Sequence, residues 1–162
     1  MRRMVVSSAL VAGAAWLGCG VPGPGPDEVV VLIETMPGDI DPRLALTGYG
    51  AKVARLVAAP LVSCDNDRLE PRPDLAAEIV REGPQAYRVT LREARFSDGR
   101  PVTASDVVYT IESAQRGPLG AAYQRIEAMD VLDERSLRFR LSAPHAPFVT
   151  DLDLGIVPRG LP

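Results

Sequence analysis

Histidine and cysteine, the residues from which metal centres and many catalytic sites are built, are scarce in this sequence. The 162 residues include one histidine and two cysteines, and no second histidine or cysteine pair stands near the histidine to bind a metal ion with it. The single histidine, His145, stands in a proline-flanked stretch, and we interpret it as a loop residue. Gly-x-Ser-x-Gly, phosphate-loop and His-Glu-x-x-His motifs are absent. The sequence therefore predicts no enzyme, no catalytic or metal-binding residue and no cofactor.

An excess of positive charge is missing as well. Eighteen basic residues stand against 21 acidic ones, which gives a net charge of -3, whereas nucleic-acid-binding domains carry a basic surface. We therefore expect no nucleic-acid partner. Asp151 and Asp153 lie two positions apart, a spacing that places them on different faces of a helix. We interpret both as solvated surface groups.

The apolar run at the N-terminus lacks the length to span a bilayer comfortably. It covers residues 4–17, follows Arg2 and Arg3, and ends before Gly18-Cys19-Gly20. A basic start, a short apolar stretch and small residues at a cleavage point are typical of a secretory signal. We predict a signal peptide over residues 1–18 and export to the periplasmic or cell-surface side of the membrane.

The cysteine just after this run indicates a lipoprotein signal. Trp16-Leu17-Gly18-Cys19 resembles a lipobox, although an aliphatic residue is expected where Trp16 stands. Cleavage before Cys19 would leave it as the lipidation site and anchor the protein to a membrane. The alternative is an ordinary signal peptide cut elsewhere, with Cys19 unmodified. If Cys19 is acylated, Cys64 has no cysteine partner in the chain, and we expect it to be a buried, inert thiol.

The remaining chain divides into a tether and a folded region. Residues 19–27 contain a glycine–proline alternation at 22–26, a composition that suits a linker. The folded region then runs over residues 28–162 and opens with an apolar strand at 29–33, predicted to be buried on both faces. A helix is expected from about Gly50 to Ala59, and spacings of three and four place Val53, Leu56 and Val57 on its apolar face.

Alternation and capping signals predict most later elements. Tyr87, Val89 and Leu91 alternate with polar residues, which favours a half-buried strand. Thr103 and Asp106 can form a capping box for a helix running to about Gln115, with Val107, Val108 and Ile111 on its apolar side. The other predicted elements are a strand at 61–63, a turn at 65–67, a turn at 96–99, a hairpin of 129–132 with 137–141, and a short helix at 148–152.

Several of these segments, taken in order, resemble family 5 of the extracellular solute-binding proteins, the peptide, oligopeptide and nickel receptors of ABC importers. The resemblance covers residues 29–158, and its most specific block is 96–107, Phe-Ser-Asp-Gly-Arg-Pro-Val-Thr-Ala-Ser-Asp-Val. Further matching segments are Ile40-Asp41-Pro42, Ala59-Pro60-Leu61-Val62, Leu69-Glu70-Pro71, Asp74-Leu75-Ala76-Ala77-Glu78 and residues 87–92.

The resemblance implies a mixed α+β fold, namely the N-terminal part of a two-lobed, type II-like periplasmic binding protein with a small antiparallel sheet and helices. It implies capture of a peptide-like or other small solute, with ABC permease subunits as partners. In such proteins the loop before the first helix faces the ligand cleft, so Thr47, Gly48 and Tyr49 are the expected ligand-binding residues. Tyr49 offers an aromatic face and a hydroxyl.

Other interpretations stay open from the sequence. Family members are several times longer, and the sequence stops within residues 156–162, Ile-Val-Pro-Arg-Gly-Leu-Pro, where another apolar strand is starting. We therefore expect a truncated product, which on its own would not close around a ligand. One alternative is a non-transport lipoprotein that acts as an interaction or sensory module, and another is a non-functional remnant. An exported hydrolase is disfavoured because no nucleophile and base are paired in the sequence.

Overall fold

A computed structural model describes residues 25–27, 30, 36, 38–64 and 70–161. The chain divides into two compact units, Met1–Leu32 and Ile33–Pro162, and the first is described only at Gly25, the turn at 26–27 and Val30. The predicted signal peptide, Cys19, most of the tether and the turn at 65–67 lie outside the described residues. The predicted strand at 29–33 also lies outside the described residues, except for Val30. Val30 is 60% exposed and in no strand, contrary to the expectation for that position.

The second unit combines helices with antiparallel strands, as predicted. In chain order its elements are α1 (Gly48–Val57), β1 (Val62–Cys64), β2 (Pro71–Pro73), β3 (Ala76–Arg81), β4 (Ala86–Leu91), α2 (Ala104–Arg116), α3 (Gly120–Tyr123), β5 (Ile126–Val131), β6 (Ser136–Leu141) and a 3-10 helix (Ala146–Leu152). Strands β1 and β2 pair with each other, and the other four form an antiparallel sheet in the order β3-β4-β6-β5. No helix among the described residues combines the length and apolar character needed to cross a membrane.

The four-stranded sheet buries one face, as its alternating sequence predicts. Tyr87 of β4 is paired with Phe139 of β6, and Val89 with Leu137, so the four side chains lie on the same face. All four are at most 4% exposed. The hairpin of β5 and β6 is confirmed, and Phe148 of the 3-10 helix stacks edge-on against Phe139 with ring centroids 5.4 Å apart.

Helix α2 covers this face. Its capping box is present, and the Asp106 carboxylate accepts hydrogen bonds from the backbone N–H of Thr103 at 2.9 Å and from its hydroxyl at 2.6 Å. Val107 and Ile111 are buried in the core. Both the start of the helix and its apolar side are therefore confirmed.

Helix α1 begins two residues before the predicted start, and the prediction of its apolar face is wrong. Leu56 and Val57 are each 67% exposed, whereas Ala54 is 4% exposed and Gly50 is buried. A Cβ atom at position 50 would come within 2.5 Å of the Asp39 carbonyl oxygen. The helix thus packs through small residues because they let another segment of backbone approach closely.

Candidate functional site

A groove of about 500 Å³ lies between the loop that precedes α1 and the C-terminal segment of the second unit. Cavities of about 300–1,000 Å³ are typical of small-molecule sites. Four segments form its walls: the entry loop at 39–42, the end of α1 at 57–59, the turn at 95–98, and the exit segment at 156–161. Leu75 and Val102 complete the lining.

The floor of the groove is apolar and its rim is mixed. Leu75, Val102, Ile156 and Val157 are each 4–8% exposed, whereas the more exposed lining includes carboxylates and an arginine together with apolar side chains such as Ile40 and Val57. An apolar floor with a few polar groups at the edge is the arrangement in which proteins hold small organic groups. The groove can therefore bind an apolar side chain while leaving polar atoms at its mouth.

The turn predicted at 96–99 is present at the rim and is closed by hydrogen bonds. Gly99 has a φ of +86°, which favours glycine, and its N–H donates to the carbonyl of Phe96 at 2.9 Å. Asp98 accepts hydrogen bonds from the backbone N–H of Arg100 at 3.0 Å and from its guanidinium at 2.7 Å. Both hydrogen bonds lower the pKa of Asp98 below its ordinary value, and the backbone bond has the larger effect.

A buried arginine organises the entry loop, and the sequence analysis missed it. Arg43 is 6% exposed, and its guanidinium binds the Asp41 carboxylate, with the shortest N–O distance 2.6 Å. The hydrogen bond from Arg43 lowers the pKa of Asp41. The same guanidinium lies 3.4 Å from the hydroxyl of Tyr109 on α2 and 3.3 Å from the carbonyl of Leu161. The Asp-Pro motif at 41–42 was the available signal, but nothing in it identifies the partners of Arg43.

The exit segment is bound by polar side chains of α2. The backbone N–H of Val157 donates to the hydroxyl oxygen of Thr110 at 3.1 Å, and the N–H of Arg159 donates to Asp106 Oδ1 at 2.8 Å. Thr110 is fully buried. Asp106 therefore serves twice, capping α2 with one oxygen and holding the exit segment with the other.

The predicted ligand-binding residues lie at the other end of α1. Thr47 is the N-cap residue, and its hydroxyl accepts from the N–H of Gly50 at 3.0 Å. Gly48 is exposed, and Tyr49 is half-buried with its ring 5.5 Å from Lys52 Nζ. None of the three is among the groove's lining residues. A Cβ atom added to Gly50 would lie 2.5 Å from the carbonyl oxygen of Asp39, which lines the groove, and 2.9 Å from Oγ1 of Thr47. The start of α1 therefore adjoins the entry loop beside the groove, although the three predicted residues do not line it.

The two aspartates interpreted as solvated groups each have a partner, which corrects that interpretation. Asp151 lies 2.7 Å from Nε2 of His145, and Asp153 accepts from Arg55 at 2.9 Å. His145 lies in the loop directly before the 3-10 helix, as interpreted, and its side chain contacts that helix.

The Cys64 thiol is partly rather than fully buried, and burial raises its pKa, which keeps it protonated and unreactive at neutral pH. It lies 3.9 Å from the carbonyl oxygen of Thr150. Within the described part of the chain, no cluster of three or more His, Cys, Asp and Glu side chains is placed to hold a metal ion.

Comparison with protein families gives one match. The model described as "Bacterial extracellular solute-binding proteins, family 5 Middle" matches residues 70–155, which is just over half of the 162-residue chain. The matched region runs from β2 through the 3-10 helix and includes the turn and the start of α2. No curated protein sequence gives a significant match.

Solved structures of similar fold come from several bacteria. NikZ from Campylobacter jejuni, in complex with Ni(L-His), has a TM-score of 0.70 and 23% identity over 80% of this chain. AgaA from A. tumefaciens R10, in complex with agropinic acid, has a TM-score of 0.69 and 25% identity over 76% of this chain. The Escherichia coli murein tripeptide binding protein MppA has a TM-score of 0.69 and 24% identity over 78% of this chain. The predicted fold class is thereby confirmed.

This chain spans only 27%, 26% and 30% of those three chains, respectively. Most of each relative therefore lies outside the region that the chain resembles.

Proposed function

Because the chain belongs to family 5 of the bacterial extracellular solute-binding proteins, we propose that it is the solute-capturing component of an ABC importer. It takes up a peptide-like or other small solute outside the cytoplasmic membrane and passes it to permease subunits. No bond is made or broken, since such receptors work by closing two lobes around the ligand. The observation that carries the proposal is the family match over residues 70–155.

The groove supports this proposal because of its position. It lies between the entry loop and the exit segment, the two places where the folded unit connects to further chain in a larger receptor. The relatives of known structure bind Ni(L-His) and agropinic acid, or are described as binding a murein tripeptide or a nonapeptide. A small solute of peptide-like chemistry is the class that we propose for this chain.

The start of α1 is proposed as one ligand contact. Thr47 and Gly48 are exposed and Tyr49 is half-buried, so a ligand can reach all three from solvent. A Cβ atom added to Gly48 would meet nothing within 4 Å, which leaves room for a ligand backbone. Tyr49→Phe should weaken solute binding if the hydroxyl is a contact, and equal affinity of the variant and the wild type would contradict that assignment.

Lipid anchoring through Cys19 is a separate proposal. It rests on the lipobox-like sequence Trp16-Leu17-Gly18-Cys19. We expect the natural protein to partition into the detergent phase of Triton X-114, and the Cys19→Ser variant to stay in the aqueous phase. Partition of the wild type into the aqueous phase would contradict lipid anchoring and would leave the solute-binding proposal unaffected.

Deletion and rescue of the gene test the transport function. A strain lacking it should take up fewer peptides from a tryptic digest of casein, measured by mass spectrometry of the spent medium, and the wild-type gene should restore uptake. In parallel, native mass spectrometry of the natural protein incubated with the digest should show bound peptides. Undiminished uptake together with no retained peptide would overturn the proposal for peptides, and the same two assays with Ni(L-His) would then decide the nickel alternative.

A further inference from the structure

The end of the exit segment, residues 158–161 and called the exit strap below, is attached mainly through side chains of other elements. It lies in a turn rather than in a strand. The Arg159 N–H donates to Asp106 Oδ1 at 2.8 Å. The Leu161 carbonyl accepts from the hydroxyl of Tyr109 and from the guanidinium of Arg43. Three side chains therefore hold the strap in place.

Two of these side chains belong to one stripe of α2. Asp106 and Tyr109 are three positions apart, which places them on the same side of the helix. Asp106 is itself anchored by two hydrogen bonds from Thr103. The attachment of Arg159 thus rests on the capped end of the helix.

The third side chain comes from the entry loop. Arg43 is bound by both carboxylate oxygens of Asp41, and a paired guanidinium of this kind keeps a defined orientation. Its Nη1 atom lies 3.3 Å from the Leu161 carbonyl oxygen. The entry loop and the exit strap, 118 residues apart in sequence, are therefore joined directly.

The strap lies outside the hydrophobic core. Arg159, Gly160 and Leu161 are exposed, whereas Val157, which precedes the strap, is 4% exposed and held by Thr110. Release of the strap would break polar bonds and further expose Pro158 and Leu161, and local opening of this kind needs less free energy than unfolding of the core. Val157 marks the point at which the released segment would stop.

We propose that the exit strap is a conformational latch, closed by Asp106, Tyr109 and Arg43, that joins residues 158–161 to α2 and to the entry loop. When the latch is closed, the entry loop and the exit strap keep one fixed spacing beside the groove. When it is open, the two segments can move separately. Its consequence for solute binding rests on the proposed function: in a receptor that closes on its ligand, the latch determines how often the lobes are oriented for closure. The existence of the latch does not depend on any solute.

Amide hydrogen exchange, followed residue by residue by NMR, tests the latch. Tyr109→Phe and Arg43→Met remove contacts to the Leu161 carbonyl, but neither removes the acceptor of the Arg159 amide. If the strap opens as a unit, we expect that amide to exchange about tenfold faster in the double variant and detectably faster in Tyr109→Phe. Amides of β4 and β6 should keep their wild-type rates. Arg140→Met, which breaks an exposed ion pair with Asp130 on the sheet, is the matched control and should leave Arg159 unchanged.

Two results would overturn the latch. The first is a wild-type exchange rate at Arg159 in both variants, which would mean that each contact acts alone. The second is an equal acceleration at Arg159 and in β4 and β6, which would mean that the strap is not separable from the core. Tyr109→Phe loses one oxygen atom from a half-buried side chain, so it remains informative if the double variant folds poorly.

Peptide retention tests the functional consequence separately. With the casein digest as the probe, we expect Tyr109→Phe to retain peptides with an apparent affinity about threefold weaker than the wild type, because the competent orientation is less populated. Equal affinity alongside faster exchange at Arg159 would overturn the link to binding. If the wild type retains no peptide, the proposed function fails, whereas the exchange rates still decide whether the latch exists.

Discussion

The two sides of helix α2 hold two different parts of the molecule by different means. One side places Val107 and Ile111 against the sheet, where both are at most 2% exposed. The other side presents Asp106, Tyr109 and Thr110 to the exit segment. Apolar burial is non-directional and joins many residues into one cooperative unit, whereas a few hydrogen bonds set a direction and can be broken one at a time. The same helix therefore supports both a stable body and a releasable connection.

The largest effect should come from the apolar side. Phe139 is fully buried and contacts the ring of Phe148, so Phe139→Ala should lower the free energy of unfolding by about 3–5 kcal/mol. Urea unfolding followed by circular dichroism measures the change. Leu132→Ala, at a 44% exposed position near the same hairpin, is the control and should change stability by about 0.5 kcal/mol or less. Similar losses in the two variants would mean that the sheet face is not the core.

A smaller effect is expected on the polar side. Thr110→Val keeps the shape of the side chain but leaves the buried N–H of Val157 without its acceptor, which should cost about 1–3 kcal/mol. Ser113→Ala is the control, because the Ser113 hydroxyl bonds only to the Tyr109 carbonyl within α2. We expect Ser113→Ala to be nearly neutral in the same urea titration. A neutral Thr110→Val would show that the exit segment is fixed by packing alone.

The apolar half of this comparison was predictable from the sequence, and the polar half was not. Alternation at 87–91 and 137–141 and the Thr103–Asp106 capping box are local signals, and the structure confirms the elements that they predict. The bond between Arg43 and Leu161 joins residues 118 positions apart. No local pattern encodes such a contact, since it exists only when both segments reach α2.

Helix α1 shows a second limit of sequence reasoning. The argument from a helical period of 3.6 assigns large apolar residues to the buried side. It therefore selected Val53, Leu56 and Val57. The structure instead buries Gly50 and Ala54, because small side chains permit a close backbone approach. Thr47, Gly48 and Tyr49 were chosen from the family resemblance alone, and their part in binding stays a prediction.

Acidification should weaken the entry side of the connection before it affects the sheet face. The Arg43 hydrogen bond lowers the folded-state pKa of Asp41 below 3.8, so the ionised carboxylate adds stability that is fully present above pH 3.8. That stability is lost as the pH falls through the lower folded-state value. The difference in melting temperature between the wild type and Asp41→Asn should therefore be widest near pH 6 and should narrow below pH 3.8.

Asp98→Asn provides the comparison for this titration. Its carboxylate also has a lowered pKa, but both it and its partner Arg100 are about half exposed, where solvent screens the interaction. We expect the melting temperature of Asp98→Asn to differ less from that of the wild type, and this difference to change less as the pH falls. A pH-independent difference for Asp41→Asn would contradict the assigned Asp41–Arg43 pair.

The smallest effect is expected where an apolar side chain lies outside both kinds of contact. Leu56 of α1 is 67% exposed and Leu61 is 1% exposed, so the same substitution at each position separates burial from residue type. Leu61→Ala should cost about 2–5 kcal/mol, whereas Leu56→Ala should stay within about 0.5 kcal/mol. A loss above about 1 kcal/mol at Leu56 would mean that this side of α1 is covered in solution. Leu56 would then belong to an apolar contact, and exposure in this structure would no longer distinguish it from the buried Leu61.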